Sequence, residues 1–461
     1  MPAMPALRAE GTRIVDEAGD EVVLKGVNLG GWLFNETWIT QIDYSLTSRI
    51  HVLGQKEAFA ADVDAVLKQG NAESWNGGEG YLAPFTAALS ERIGEAAAAA
   101  FADKVRAYMP ALYSDADLPL RKKLSERFGD EARDQLLDTF QEAWIGEADI
   151  AWLAAQGFNV VRVPITYRSL VTGPDVERPV SMTWNERTWR RIDRLLEWCE
   201  RYRVYAVLDL QESPGGHNDY AGTPLLYDDP ALQDLVVQLW QEIAARFGDH
   251  SAVAAYSLLA EPFGAPDPAA RDAMYDRLVQ AIRAMADDHL LVIHDGFFGM
   301  QTLPLPADLG WTNVVYSTHI FEFGAKSYED YDFLVNYLHD TLFSEAQAKH
   351  GVPYYIASFS TRFDEDWAYD AAQLLIDWYS RRRWSWSVWT YKRIDDPISV
   401  QLFGKRSSYG VRTLSGGDFT HPDAFGDDID TLKSRLAAYA HLQMDPNPRL
   451  LEILESGLRA E

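Results

Sequence analysis

Asn159-Val-Val-Arg-Val163, the amphipathic stretch Trp189 to Tyr202, and then Val204-Tyr-Ala-Val-Leu208 decide how this chain folds. A short apolar run, a helix-period segment and a second short apolar run form the pattern of two parallel strands joined by a helical crossover. The same alternation continues outward in both directions. Apolar runs recur at Val22 to Val27, Ala254 to Leu259, Leu290 to His294, Val314 to Thr318, Tyr354 to Ala357 and Ser385 to Thr390. Helical periodicity fills Ala231 to Phe247, Ala269 to Ala286, Tyr331 to His350 and Ala368 to Ser380. With the first two, these make eight strands, which predicts a closed (β/α)8 barrel rather than an open sheet.

The first crossover is anomalous. Residues of about 45–148 form an Ala-rich and charge-rich insertion, including Ala96 to Ala100 and Leu120 to Ala148, which reads as helices layered over one rim. After the last strand, Lys405 to Phe425 is dense in Gly, Ser and Asp and reads as a loop. Neither has the composition of a linker, so one domain over residues 1–461 is expected.

The bulk composition narrows the partners. A formal charge of -27 repels a phosphate backbone, so neither nucleic acid nor an anionic membrane is expected as a partner. The single cysteine, Cys199, lies among apolar neighbours and reads as a core thiol. Met1 to Gly11 has no apolar run of signal-peptide length, so cytoplasmic residence is expected for the sequence as it stands, and secretion if a leader was removed. Fifteen Trp and an aromatic content of 12% are enough to line a groove as well as fill a core. Oligomeric state is not legible.

In a barrel of this kind the site forms at the C-terminal ends of the strands. Those ends supply Arg162, Asp209-Leu-Gln211-Glu212, Glu261-Pro262, His294-Asp295, His319 to Glu322, Ser358 and Trp389. Glu261 stands out, since a carboxyl group at a strand terminus beside a rigid proline is placed to pass a proton to a leaving oxygen. The structural alternative is a buried ion pair of Glu261 with Arg162. His217, in the Gly-rich loop after the third strand, reads equally as a substrate contact or a turn residue. His217, His294 and His319 come from three strand ends without close ligand spacing, so no metal is expected. No phosphate cradle or dinucleotide fingerprint appears, and no cofactor is expected.

The opening Leu24-Lys-Gly-Val-Asn-Leu-Gly-Gly-Trp32 with Glu36-Thr-Trp38 resembles that of the exo-β-1,3-glucanases of glycoside hydrolase family 5. Asp149 through Pro164, His294-Asp295, Tyr316-Ser-Thr-His319 and Trp389-Thr-Tyr-Lys392 continue the likeness in order. The resemblance implies a carbohydrate ligand, a β-linked glucoside or oligosaccharide attacked from a chain end, with Glu261 as general acid/base. It also implies that Arg162 and His319 support the reacting carboxylates, that Glu36 grips the terminal sugar beside Trp38, and that Trp389 forms its floor.

The pattern breaks at four positions. Gln211 stands where the family has His, Ala260 where it has Asn before the acid/base, and Phe321 where it has Tyr. Ser358 stands where the nucleophilic Glu belongs, and no base for it is evident nearby in the sequence. Three readings stay open. A relocated carboxylate restores the reaction, with Glu322, Glu212, Asp364 and Glu365 as candidates and Glu322 foremost; or the chain is an inactive homologue that binds carbohydrate; or it runs a different reaction on a sugar-like substrate. In any of these, Gln211, Glu212, His217 and Ser358 are expected to face the ligand.

Overall fold

The computed structural model describes residues 3–69, 78–108, 117–218, 224–322, 324–361, 365–403, 410–414 and 419–460. Eight parallel strands close into a barrel in chain order: β1 Lys25–Asn28, β2 Val160–Thr166, β3 Tyr205–Glu212, β4 Val253–Ser257, β5 Leu290–His294, β6 Val314–Ile320, β7 Tyr354–Phe359 and β8 Ser385–Val388. The seam is made by β8 against β1, with Trp386 opposite Lys25 and Val388 opposite Val27. Every residue of β2 through β8 is buried, as expected for strands covered by helices outside and packed side chains inside. At the β1–β2 contact the backbones come so close that a Cβ on Gly26 would lie 1.9 Å from the carbonyl oxygen of Val160.

The outer helices begin and end where their sequences direct. Pro230–Phe247 and Pro268–Arg283 each start at an Asp-Pro pair, in which the aspartate caps a free backbone N–H and the proline occupies a first-turn position that needs none. The helix Glu186–Tyr202 turns Trp189, Ile192, Leu195, Leu196 and Cys199 toward the strands. Cys199 is fully buried, and burial pushes its thiol up, as a core position requires.

Three expectations are corrected. The stretch read as one helix from Tyr331 to His350 begins at Tyr328, and its middle, Phe333–His339, is π-helical. Within the segment read as a loop, Arg412–Leu414 is a strand that pairs with Lys392–Arg393 and Met444–Pro446; residues 404–409 and 415–418 of that segment lie outside the described residues. Val22 is not in the first barrel strand: its N–H donates to the Ile14 carbonyl at 2.9 Å, joining the N-terminal hairpin of Arg8–Glu10 and Arg13–Val15.

The insertion after β1 is helical and has two parts. Helices between Leu46 and Arg106 share a small apolar cluster of their own, centred on Ile50, Val63, Leu82, Leu89 and Phe101. The helices Asp117–Phe128 and Asp130–Trp144 instead join the main core through Leu124, Leu136, Phe140 and Trp144.

Candidate active site

The C-terminal mouth of the barrel is lined by charged and polar side chains that are almost wholly buried. Arg162 on β2 and Asp209 on β3 form an ion pair at 2.8 Å with no exposure of either side chain. Burial pushes the Asp209 carboxyl up, while the adjacent guanidinium opposes that shift. Arg162 also donates to Asn28 Oδ1 at 2.7 Å, and the Asn28 amide donates to the carbonyls of Ala357 and Ser387 at 3.1 Å each. This network ties β1, β2, β3, β7 and β8 together across the barrel. Arg162 thus has Asp209 as an ion-pair partner.

Glu261 follows β4 with φ at +52°, a left-handed conformation that costs a non-glycine residue energy and is retained where the surroundings impose it. Its Oε1 lies 2.5 Å from His319 Nδ1, and the side chains are 8% and 2% exposed. Burial, and after it the positive charge of Arg162, hold the His319 imidazole well below its ordinary pKa. His319 is therefore neutral at pH 7, with Nδ1–H directed at the carboxylate and Nε2 left as an acceptor. Neither Nε2 of His319 nor Oγ of Ser358 has a hydrogen-bond partner among the described residues.

His294, at the end of β5, packs edge-on against His319 with ring centroids 4.4 Å apart. Its Nδ1 accepts from the Gly296 N–H at 2.9 Å, and burial keeps it neutral, so its proton resides on Nε2. That N–H also lacks a partner among the described residues. The next residue, Asp295, has its carboxyl raised to about 6, chiefly by burial.

The remaining expected ligand contacts divide into two groups. Glu36 and Trp38 lie together after β1: the Trp38 indole donates to Glu36 Oε1 at 3.1 Å, and the guanidinium of Arg393 sits 5.1 Å over the Trp38 ring. Trp389 directly follows β8 and is 7% exposed. Gln211 Oε1 accepts from Arg162 at 3.5 Å.

Three others are engaged by groups of the protein itself. The His217 ring is fully buried, with Nε2 on the Ala260 carbonyl at 2.7 Å and Nδ1 on Ser213 Oγ at 2.9 Å. It props the backbone just before Glu261, and burial lowers its pKa to about 4. Glu212 is likewise internal, paired with Arg168 and accepting from Thr166 Oγ1 at 2.6 Å. Glu322 is bound by His339 Nε2 at 2.6 Å, and His339 in turn stacks on Trp378 of the outer helix Asp366–Arg382, which directs this carboxylate toward the helical layer. Glu365 accepts from the Trp367 indole at 2.5 Å, and Asp364 lies outside the described residues. Among the described residues no group of three or more His, Cys, Asp and Glu could hold a metal ion, and no helix is long and apolar enough to cross a membrane.

Sequence reasoning named Asp209 and Asn28 but gave neither a role in the site. The available signal for Asp209 was an acid inside the apolar run Val207 to Leu210, which needs a buried partner.

The chain is thus a parallel eight-stranded barrel with a polar mouth built around a strand-end carboxyl group. The cellulase family, glycosyl hydrolase family 5, matches residues 130–394, and the chain belongs to that family. A β-xylosidase of Phanerodontia chrysosporium is 24% identical over 420 residues, covering 85% of this chain and 71% of its own length. A glucan 1,3-β-glucosidase of Saccharomyces cerevisiae is 26% identical over 352 residues; this chain spans 72% of itself and about half, 52%, of that protein in the match. The crystal structure of an endogalactoceramidase superposes with a TM-score of 0.51 at 17% identity, covering 94% of this chain and 85% of that one, a likeness of fold.

Proposed function

We propose that this protein is a glycosidase acting on a β-linked glucoside or oligosaccharide from a chain end, with Glu261 as the general acid/base and a second catalytic group that is not the usual carboxylate. The observation that carries the reading is Glu261 itself, held at a strand end in a strained backbone conformation and oriented by His319 at 2.5 Å. A carboxyl group fixed in this way can protonate a leaving glycosidic oxygen. Glu36 and Trp38 after β1 and Trp389 after β8 supply a hydrogen-bonding edge and apolar faces for the terminal sugar. The printed names of the two relatives, a β-xylosidase and a glucan 1,3-β-glucosidase, support the substrate class.

Glu212 and Glu322 are already paired, which argues against either as a relocated nucleophile. Ser358 occupies the position that resemblance assigns to the nucleophile, and a serine there is shorter than a glutamate and leaves space for water. Attack by water with inversion ordinarily goes with a wider carboxylate separation of about 6.5–9.5 Å, against about 5–5.5 Å for retention.

The test is turnover on a panel of β-glucosides, β-xylosides and β-1,3-gluco-oligosaccharides, with the first anomer released identified by proton NMR. Glu261→Gln is expected to slow hydrolysis by about 10²–10⁴, less for substrates whose leaving group needs no proton. Undiminished turnover in Glu261→Gln removes the assignment. The serine at position 358 and the pairing of the candidate carboxylates favour a second reading, a carbohydrate-binding homologue. It is the one selected if sugars bind saturably and none is cleaved.

A further inference from the structure

On β7, Tyr355 points toward the barrel axis, where its hydroxyl shares a hydrogen bond of 2.6 Å with Ser387 Oγ. Phe359 points to the helices, with its ring 5.1 Å from Tyr379 and 6.0 Å from Trp386. Strict alternation would give these two residues the same face, since they are four apart. A bulge resolves the conflict. Thr318 is opposite Ile356, but His319 is opposite Ser358, so Ala357 is the extra residue on β7. Bulges of this kind re-aim side chains; here the bulge brings Ser358 into register with His319 on β6, and the Ala357 carbonyl is taken up by Asn28.

Across the sheet from Ser358, in register with it, stands the imidazole-bearing residue His319. We propose that Ser358, His319 and Glu261 form a hydrolytic relay at the barrel mouth that cleaves small carboxylic esters, acetyl groups carried on a sugar being the substrate class. The sugar part of this statement rests on the carbohydrate-binding reading above; the relay does not. Glu261 accepts from His319 Nδ1–H at 2.5 Å and fixes the tautomer that leaves Nε2 able to take a proton, the role an acid plays in a serine hydrolase. His294 contributes a buried Nε2–H with no partner among the described residues, a donor for a developing oxyanion.

The steps balance. Ser358 Oγ bonds to the acyl carbon as its proton passes to His319 Nε2. The tetrahedral intermediate then expels the sugar hydroxyl, which takes that proton. Water attacks the acyl-serine, gives a proton to Nε2, and the carbon–Oγ bond breaks with return of the proton to Ser358 and release of the carboxylic acid. Oγ must swing to Nε2 when the ester binds, a tightening that unliganded sites commonly leave to substrate. Exposures of 2% for Ser358 and 6% for His319 restrict the acyl group to a small one.

The experiment is labelling of the whole protein with a small alkyl fluorophosphonate, location of the adduct by peptide mass spectrometry, and hydrolysis of 4-nitrophenyl acetate and an acetylated methyl β-glucoside. The expected result is an adduct on Ser358, and ester turnover reduced by at least about a hundredfold in Ser358→Ala and in His319→Gln. The adduct is read on the unaltered chain, so a variant that fails to fold leaves that test standing. No adduct on Ser358, or ester turnover unchanged in a folded Ser358→Ala, overturns the relay. Neither result depends on glycoside cleavage, so failure on the glycoside panel and failure here are separate. An adduct on Ser358 with turnover of the simple ester alone removes the sugar ester as substrate.

Discussion

His217 makes acid stability an informative probe of the site. Its ring is fully buried, Nε2–H donates to the Ala260 carbonyl, and desolvation lowers its pKa from 6.5 to about 4. The unfolded chain therefore takes up a proton near pH 6.5 that the folded chain refuses until about pH 4. His217 contributes its full stabilisation above pH 6.5, and this is lost as pH falls toward 4. At about 1.4 kcal/mol per pH decade, the gap corresponds to about 3 kcal/mol. His217→Gln keeps an amide N–H for the Ala260 carbonyl and removes the titration. Urea midpoints measured from pH 7 to pH 4 should place the variant about 1 kcal/mol below the parent at pH 7, for the lost Ser213 contact, and above it at pH 4. Groups that titrate equally in both proteins cancel in the difference. Parallel curves across this range would refute a neutral, structural His217 and reopen it as a ligand contact.

Two further changes probe the frame that holds the site. Arg162→Met leaves the Asp209 carboxylate buried without its cation and should cost about 3–5 kcal/mol, whereas adding Asp209→Leu should recover much of that loss. A shift in urea midpoint worth under about 1 kcal/mol for the single variant contradicts the buried pair. Gly26→Ala would force a methyl group to 1.9 Å from the Val160 carbonyl, so a loss of at least about 3 kcal/mol or no folded protein is expected, and an alanine variant of parental thermal stability excludes the close β1–β2 approach.

The barrel was legible because parallel strands covered on both faces keep continuous apolar runs, and each lay between segments of clear helical period. Strand ends were less legible. β3 runs on through Asp209, Gln211 and Glu212, whose polarity reads as loop until Arg162 and Arg168 are seen to neutralise the two acids inside the barrel. That pairing depends on register across β2 and β3, which composition does not encode. The strand Arg412–Leu414 was missed for a related reason: its partners lie at Lys392–Arg393 and Met444–Pro446, and three residues beside Gly and Ser carry no periodicity of their own. Glu261 was legible from its place before Pro262. That His319 supports a reacting carboxylate came only through the family resemblance, because it reaches Glu261 from β6, two strands away in the barrel order.

A related limit applies to Ser358, which the family resemblance set facing the ligand without a base evident nearby in the sequence. Strict alternation counted from Tyr355 would instead assign Ser358 to the outer face. The inserted Ala357 reverses that assignment, and its cost is met locally because the carbonyl it displaces is taken up by the Asn28 amide at 3.1 Å, while the Asn28 oxygen accepts from Arg162 at 2.7 Å. The bulge, the amide and the buried ion pair are therefore one device. Removing Arg162 loosens the same hydrogen bonds that hold β7 in its bulged form, so a loss of stability in Arg162→Met should be accompanied by a change in the reactivity of Ser358, although Arg162 makes no hydrogen bond to that serine.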